Sequence, residues 1–265
     1  MKRRHAVCGA LACLAAPLGV LAQGQAQGAR DPLGSAQWED IRREFLGKAP
    51  VVFDERVQVS GPAFAEDPMA VPVSVSALGL GGVTHIAVIV DRNPIRKVLD
   101  FYPGQALPAL SFRFKLEQAS PVRAAARTAD GVWHVGGTFV ESSGGGCTLP
   151  GATRSDGSWA RTLGQVSGAL FESPLDAQAT RLRVRVMHPM DTGLVAGVPA
   201  FYINRLAVLD GAGHELLVFN GHEPLSENPV LSFELPGRQQ ESLRVRGSDN
   251  NGNRIDAAIG RRLLP

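Results

Sequence analysis

The sequence predicts an all-β chain: two antiparallel β-sandwiches joined by a Gly/Ser/Pro-rich linker, with a short N-terminal helix ahead of the first. Three features point there. The 265 residues include 30 Gly and 18 Pro, a turn-rich composition unfavourable to long helices or coiled coils. Apolar residues recur with period two in two series of short segments bounded by turn residues. No helix of length follows any of these strands, which argues against a parallel α/β sheet.

Residues 1–22 read as a secretory signal peptide. Lys2, Arg3 and Arg4 open it, Ala6 to Ala22 carries no charge, and Val20-Leu21-Ala22 offers small residues for cleavage. Polar Gln23-Gly24-Gln25 follows at once, which distinguishes the segment from a membrane span. The Arg3-Arg4 pair leaves Sec and twin-arginine export both open. Cleavage takes three of the 27 basic residues and no acidic one, leaving 24 against 25. A chain this close to neutral gives a nucleic-acid role little support. Cleavage also takes Cys8 and Cys13, so Cys147 remains without an internal disulfide partner.

Residues 23–50 form a lead and a helix. Residues 23–34 show no ordered pattern, whereas Trp38, Ile41, Phe45 and Leu46 fall at helical spacing among charged residues over about 36–46. Its mixed charges favour packing on the domain behind it over lying on a membrane. Residues 51–147 carry the first strand series. Val71 to Ser76 alternates, Val83 to Asp91 is largely apolar, and Leu110 to Leu116 sets Leu and Phe against Ser, Arg and Lys. Val122 to Thr128 and Val132 to Val140 flank the turn Ala129-Asp130-Gly131. Residues 148–178, rich in Gly, Ser and Pro, read as a linker of which Trp159, Leu163 and Phe171 lie on a surface. Residues 179–265 form the second, smaller sandwich. Leu182, Val184 and Val186 alternate with Arg181, Arg183 and Arg185. Tyr202 to Leu209, Glu215 to Phe219, Val230 to Leu235, Ser242 to Arg246 and Arg254 to Ile259 follow, the last two joined by an Asp249-Asn250-Asn251-Gly252 turn.

Cys147 is the candidate functional residue. Gly144, Gly145 and Gly146 precede it as a flexible arm without side chains, suited to entering a narrow site on another protein. No His, Lys or Arg lies within five residues and Glu141 is acidic, so nothing local activates the thiol. That pattern suits a covalent attachment point or a solvent-exposed structural cysteine better than a nucleophile. A cysteine hydrolase would need a histidine brought in from His85, His134, His188, His214 or His222. The spacing of His214 and His222 resembles no metal site, and Gly79-Leu80-Gly81-Gly82 lacks the helix of a phosphate-binding loop. No catalytic residue, metal or cofactor is therefore expected. The segment His188-Pro189-Met190-Asp191-Thr192-Gly193-Leu194 reads as a structured loop after a strand, with Gly193 at positive φ.

That loop, with Val198 to Ile203, Glu227-Asn228-Pro229 ahead of Leu231-Ser232-Phe233, and Asp249-Asn250-Asn251-Gly252, resembles the SoxZ family. Ala65-Glu66-Asp67 before Val71-Pro72-Val73, Asp91-Arg92-Asn93-Pro94, and a Gly-rich tract bearing one cysteine resemble SoxY. Both halves in this order are similar to the fused SoxYZ-like carriers associated with quinoprotein dehydrogenases, and the fusion would replace a heterodimer. The resemblance implies two immunoglobulin-like sandwiches packed together in a periplasmic protein. It makes Cys147 the carrier cysteine to which sulfur intermediates attach covalently while partner enzymes do the chemistry. Those partners are Sox-type enzymes or a quinoprotein dehydrogenase system. A non-carrying accessory module for a periplasmic quinoprotein (alcohol) dehydrogenase is the alternative. In SoxY the tract Gly-Gly-Cys-Gly-Gly ends the polypeptide; here Thr148-Leu149-Pro150 follows, tethering the arm at both ends.

Overall fold

A computed structural model of the chain describes residues 30–155, 157, 159–238, 242–260 and 263–264; the expected signal peptide and most of the 23–34 lead lie outside them. The first half supplies α1 (Trp38–Ile41), a π-helical turn (Arg42–Leu46) and nine strands. These are β1 (Val51–Phe53), β2 (Gln58–Ser60), β3 (Phe64–Ala65), β4 (Val71–Ser76), β5 (Val83–Val90), β6 (Lys97–Tyr102), β7 (Ala109–Phe114), β8 (Ser120–Thr128) and β9 (Trp133–Ser142). Two helical turns follow, α2 (Ala152–Ser155) and α3 (Trp159–Thr162). The second half adds β10 (Val166–Glu172), β11 (Thr180–Val186), β12 (Ile203–Leu209), β13 (Glu215–Gly221), β14 (Val230–Leu235), β15 (Leu243–Asp249), β16 (Arg254–Ile259) and β17 (Leu263–Leu264).

Period-two burial explains the strands that the sequence shows. In β4, Val71, Val73 and Val75 are buried while Pro72 and Ser74 are exposed. In β11, Leu182, Val184 and Val186 point inward and the three arginines outward. β8 is buried almost throughout because it is covered on both faces. One face meets the sandwich interior. Against the other, Trp38, Ile41 and Leu46 pack with Ala87, Ile89, Ala125, Trp133 and Val135. The N-terminal helix thus packs on the domain behind it. Beneath it, Arg123 is clamped by Asp91 at 2.9 Å and Asp31 at 2.7 Å, with its guanidinium over the Trp38 ring.

The chain is all-β with two facing sheets, but each sheet is shared between the halves. One runs β1-β9-β8-β5-β6-β13-β12-β15-β16, with β3 paired to β9; the other runs β17-β10-β11-β14-β7-β4-β2. The crossings are β6 to β13, where Phe101 faces Phe219 and Asp100 faces Asn220, and β14 to β7, where Ser232 faces Ser111. Edge strands that would otherwise expose unpaired N–H and C=O groups satisfy one another. A single core follows across the seam, where Phe101 and Phe219 both contact Phe233 at centroid distances of 5.7 and 6.0 Å. The segment expected as a linker is in part a strand: β10 pairs with β11 from Val166 to Glu172. Its period is weak because only Leu170 is fully buried. No helix among the described residues is long and apolar enough to cross a membrane.

Candidate functional site

The structure places the Cys147 thiol inside the molecule rather than on an exposed arm: the residue is 1% exposed. The chain leaves β9 at Ser142, whose hydroxyl accepts the Gly144 N–H at 3.0 Å. Gly144 and Gly145 take φ of 95° and 86°, the left-handed region open to glycine. Their turn brings the arm along residues 116 and 117, with Gly145 N–H donating to Glu117 O and Gly146 N–H to Leu116 O. A Cβ on Gly146 would lie 2.2 Å from the Pro68 carbonyl oxygen. The glycines therefore let the arm fold down tightly, where composition alone suggests flexibility.

The thiol is held from both halves. The Glu117 carboxylate accepts the Cys147 N–H at 2.9 Å and the Thr148 hydroxyl at 3.0 Å. The Cys147 thiol points at the Lys115 carbonyl, 3.6 Å away, and Asn93 donates to that same carbonyl at 2.8 Å. From the second half, the Thr192 hydroxyl donates to the Cys147 carbonyl at 2.7 Å. Thr192 belongs to the 188–194 loop, and that loop is fixed in turn. The Lys115 ammonium donates to Met190 O at 2.5 Å, Met190 N–H donates to His188 Nδ1, and Asn228 bonds His188 through its side chain and its backbone N–H. Gly193 takes φ 77°, as the turn reading requires. The loop motif that reads in sequence as turn architecture is, in three dimensions, the cover of the cysteine.

This setting suppresses the thiolate. Burial, and then the Glu117 carboxylate, push the Cys147 thiol up to about 12, with Lys115 offsetting only part. Burial likewise pulls the Lys115 ammonium below its ordinary value, against the charges of Glu227 and Asp191. His188 acts within the cover loop, and the other four described histidines serve elsewhere. His85 and His222 both bond Asp100, His134 bonds Asp54, and His214 bonds Asp210. Among the described residues no histidine is hydrogen-bonded to Cys147. The site can hold a protonated thiol and shield it from solvent; it does not generate a nucleophile where it stands.

Sequence reasoning found Cys147 and the loop but missed Lys115, Glu117 and Thr192 as its surroundings. Lys115 and Glu117 continue the outward, polar register of β7 past Ser111 and Arg113. By alternation both belong in solvent. Lys115 is 3% exposed because the 188–194 loop lies over it, and nothing local in sequence announces a cover 75 residues away.

A family model described as sulfur oxidation protein SoxY matches residues 42–147, and one described as sulphur oxidation protein SoxZ matches residues 171–259. No curated protein matches the chain. Among solved structures it is similar to the sulfur carrier protein SoxY from Chlorobium limicola f thiosulfatophilum. That likeness has 21% identity and a TM-score of 0.35, over 40% of this chain and 90% of that one.

Proposed function

Because this chain belongs to the SoxYZ carriers of sulfur oxidation, with a SoxY and a SoxZ module in tandem on one polypeptide, we propose that Cys147 carries a covalent sulfur intermediate for partner enzymes in the periplasm. The observation that carries the proposal is the clamp on Cys147. It is the last residue of the SoxY match, and its backbone is held by Glu117 of that module and Thr192 of the SoxZ module. Two modules that meet over one thiol have a reason to be fused, since the tether keeps the cover beside the arm. The leader-like features of residues 1–22 support export.

In this reading the structure is the closed, unloaded state. A thiol raised to about 12 is a poor nucleophile at neutral pH, so it reacts after the arm leaves the cover. Loading by thiosulfate joins Cys147 Sγ to the sulfane sulfur. The thiol proton is released, and two electrons pass to an electron-accepting partner enzyme. The test is intact mass spectrometry of the protein from cells supplied with thiosulfate, beside Cys147→Ser. A sulfane or thiosulfonate mass, removable by a reductant and missing from Cys147→Ser, is expected. Wild-type protein that stays unmodified under the same growth overturns the proposal.

A further inference from the structure

We propose that the outer face of the seven-stranded sheet is a docking surface for a protein presenting clustered Asp and Glu side chains. Register builds this face. Arg183 on β11 pairs with Ser232 on β14, which pairs with Ser111 on β7; Arg185 pairs with Val230 two residues along. Arg113 lies two residues along from Ser111, so Arg185 and Arg113 flank Val230 from either side. Two adjoining grooves of about 560 and 650 Å³ run over this surface and share Arg113, Arg183, Phe171 and Val230.

The charges here are unbalanced. Arg181 is taken by the buried carboxylate of Glu234 at 2.5 Å, and Glu172 lies 4.0 Å from Arg238. The Glu227 carboxylate turns away to Thr153, accepting its N–H at 3.0 Å and its hydroxyl at 2.5 Å. No described carboxylate forms an ion pair with Arg113, Arg183 or Arg185, and all three are exposed. Strand geometry sets Arg183 and Arg185 roughly 7 Å apart along β11, and Arg113 about 10 Å from Arg185 across β14. These are backbone spacings, and the three guanidinium groups without a described carboxylate partner cover a patch wide enough to meet several carboxylates on a protein surface. Half-buried Phe171 and Val230 add apolar contact between the guanidinium groups, the mix of Arg and aromatic typical of protein interfaces.

Position ties the face to the thiol. Glu227 and Asn228 at the groove wall hold Thr153, six residues beyond Cys147. Asn228 also holds His188 at the start of the loop that covers Cys147. A protein seated on the arginines therefore touches the anchors of both the arm and its cover. That the docked protein is a sulfur-oxidation enzyme rests on the carrier reading; binding itself does not involve the thiol.

The test is fluorescence anisotropy with a labelled oligoglutamate peptide as probe, titrated with the full chain. Wild type and Cys147→Ser are expected to bind equally, with affinity falling steeply as salt rises. The Arg113→Glu, Arg183→Glu, Arg185→Glu triple variant is expected to lose about tenfold or more. Circular dichroism checks its fold, and single Arg→Gln variants, each expected to weaken binding, replace it if it does not fold. Equal binding by the charge-altered variants, or no saturable binding by wild type, overturns the proposal. So does competition by sulfate or thiosulfate beyond that of chloride at matched ionic strength, which would mark an inorganic anion subsite. Probe binding intact in a protein that never carries an adduct would refute the carrier reading and leave the docking surface standing.

Discussion

Replacing Glu117 by Ala tests whether the closed arm governs the thiol. Cys147 is 1% exposed with its thiol pushed up to about 12. At pH 8 an ordinary thiol of pKa about 8.5 is roughly one quarter thiolate, whereas a thiol near 12 is ionised in about one molecule in ten thousand. Reaction with a bulky disulfide reagent then proceeds through opening of the arm, at the intrinsic rate multiplied by the open fraction. Glu117 accepts the Cys147 N–H at 2.9 Å, and its second bond is to exposed Thr148, which water replaces readily. One hydrogen bond to a carboxylate contributes about 1.5–3 kcal/mol. Its loss raises the open fraction roughly 10- to 150-fold. The assay is the pseudo-first-order release of thionitrobenzoate at pH 8 from wild type and Glu117→Ala, with the guanidinium-unfolded chain giving the unprotected rate. Wild type should react at least a hundredfold more slowly than the unfolded chain, with the variant in between. A wild-type rate within about tenfold of the unfolded chain, or a variant rate equal to wild type, would refute the reasoning.

Two further outcomes follow from the same geometry. Gly146→Ala sets a Cβ against the backbone carbonyls of Pro68 and Leu116. Overpacking of about 1–3 kcal/mol should speed thiol labelling roughly 5- to 150-fold with little change in melting temperature; a freely mobile arm would show no change. Asp100→Asn removes the buried carboxylate that His85, His222 and Lys97 share at the seam of the halves. Urea unfolding should register a loss of about 3 kcal/mol. Burial alone would raise the Asp100 carboxyl, but hydrogen bonds from His222 and His85 with the Lys97 charge overcome it and hold it well below the carboxylate range. Its contribution is therefore present above the unfolded carboxyl pKa of about 3.9 and lost as pH falls further through the folded value. The wild type and Asp100→Asn stability curves should converge in acid, and curves that stay parallel would count against that linkage.

Strands with one wet face were legible in the sequence because alternation is a local consequence of half-burial, as in β4 and β11. β6 was not, because Val98, Leu99, Asp100 and Phe101 are all buried, and a strand covered on both faces loses its period. β10 was hidden for the opposite reason, since Gly168 and the exposed Ser167 leave little apolar signal.

The sequence by itself determined the all-β class, most strand positions and the short helix, and it singled out Cys147 as the candidate, because each depends on local pattern or on residue identity. It also carried the motifs of both family modules in their order. Only the tertiary structure decided that the halves share both sheets, since a strand's free edge has no signature apart from the partner it meets. It decided, too, that Cys147 is closed in. Its glycines permit equally a swinging arm and a tightly folded one. Contacts from Lys115, Glu117 and Thr192, 32, 30 and 45 residues away, select the folded state.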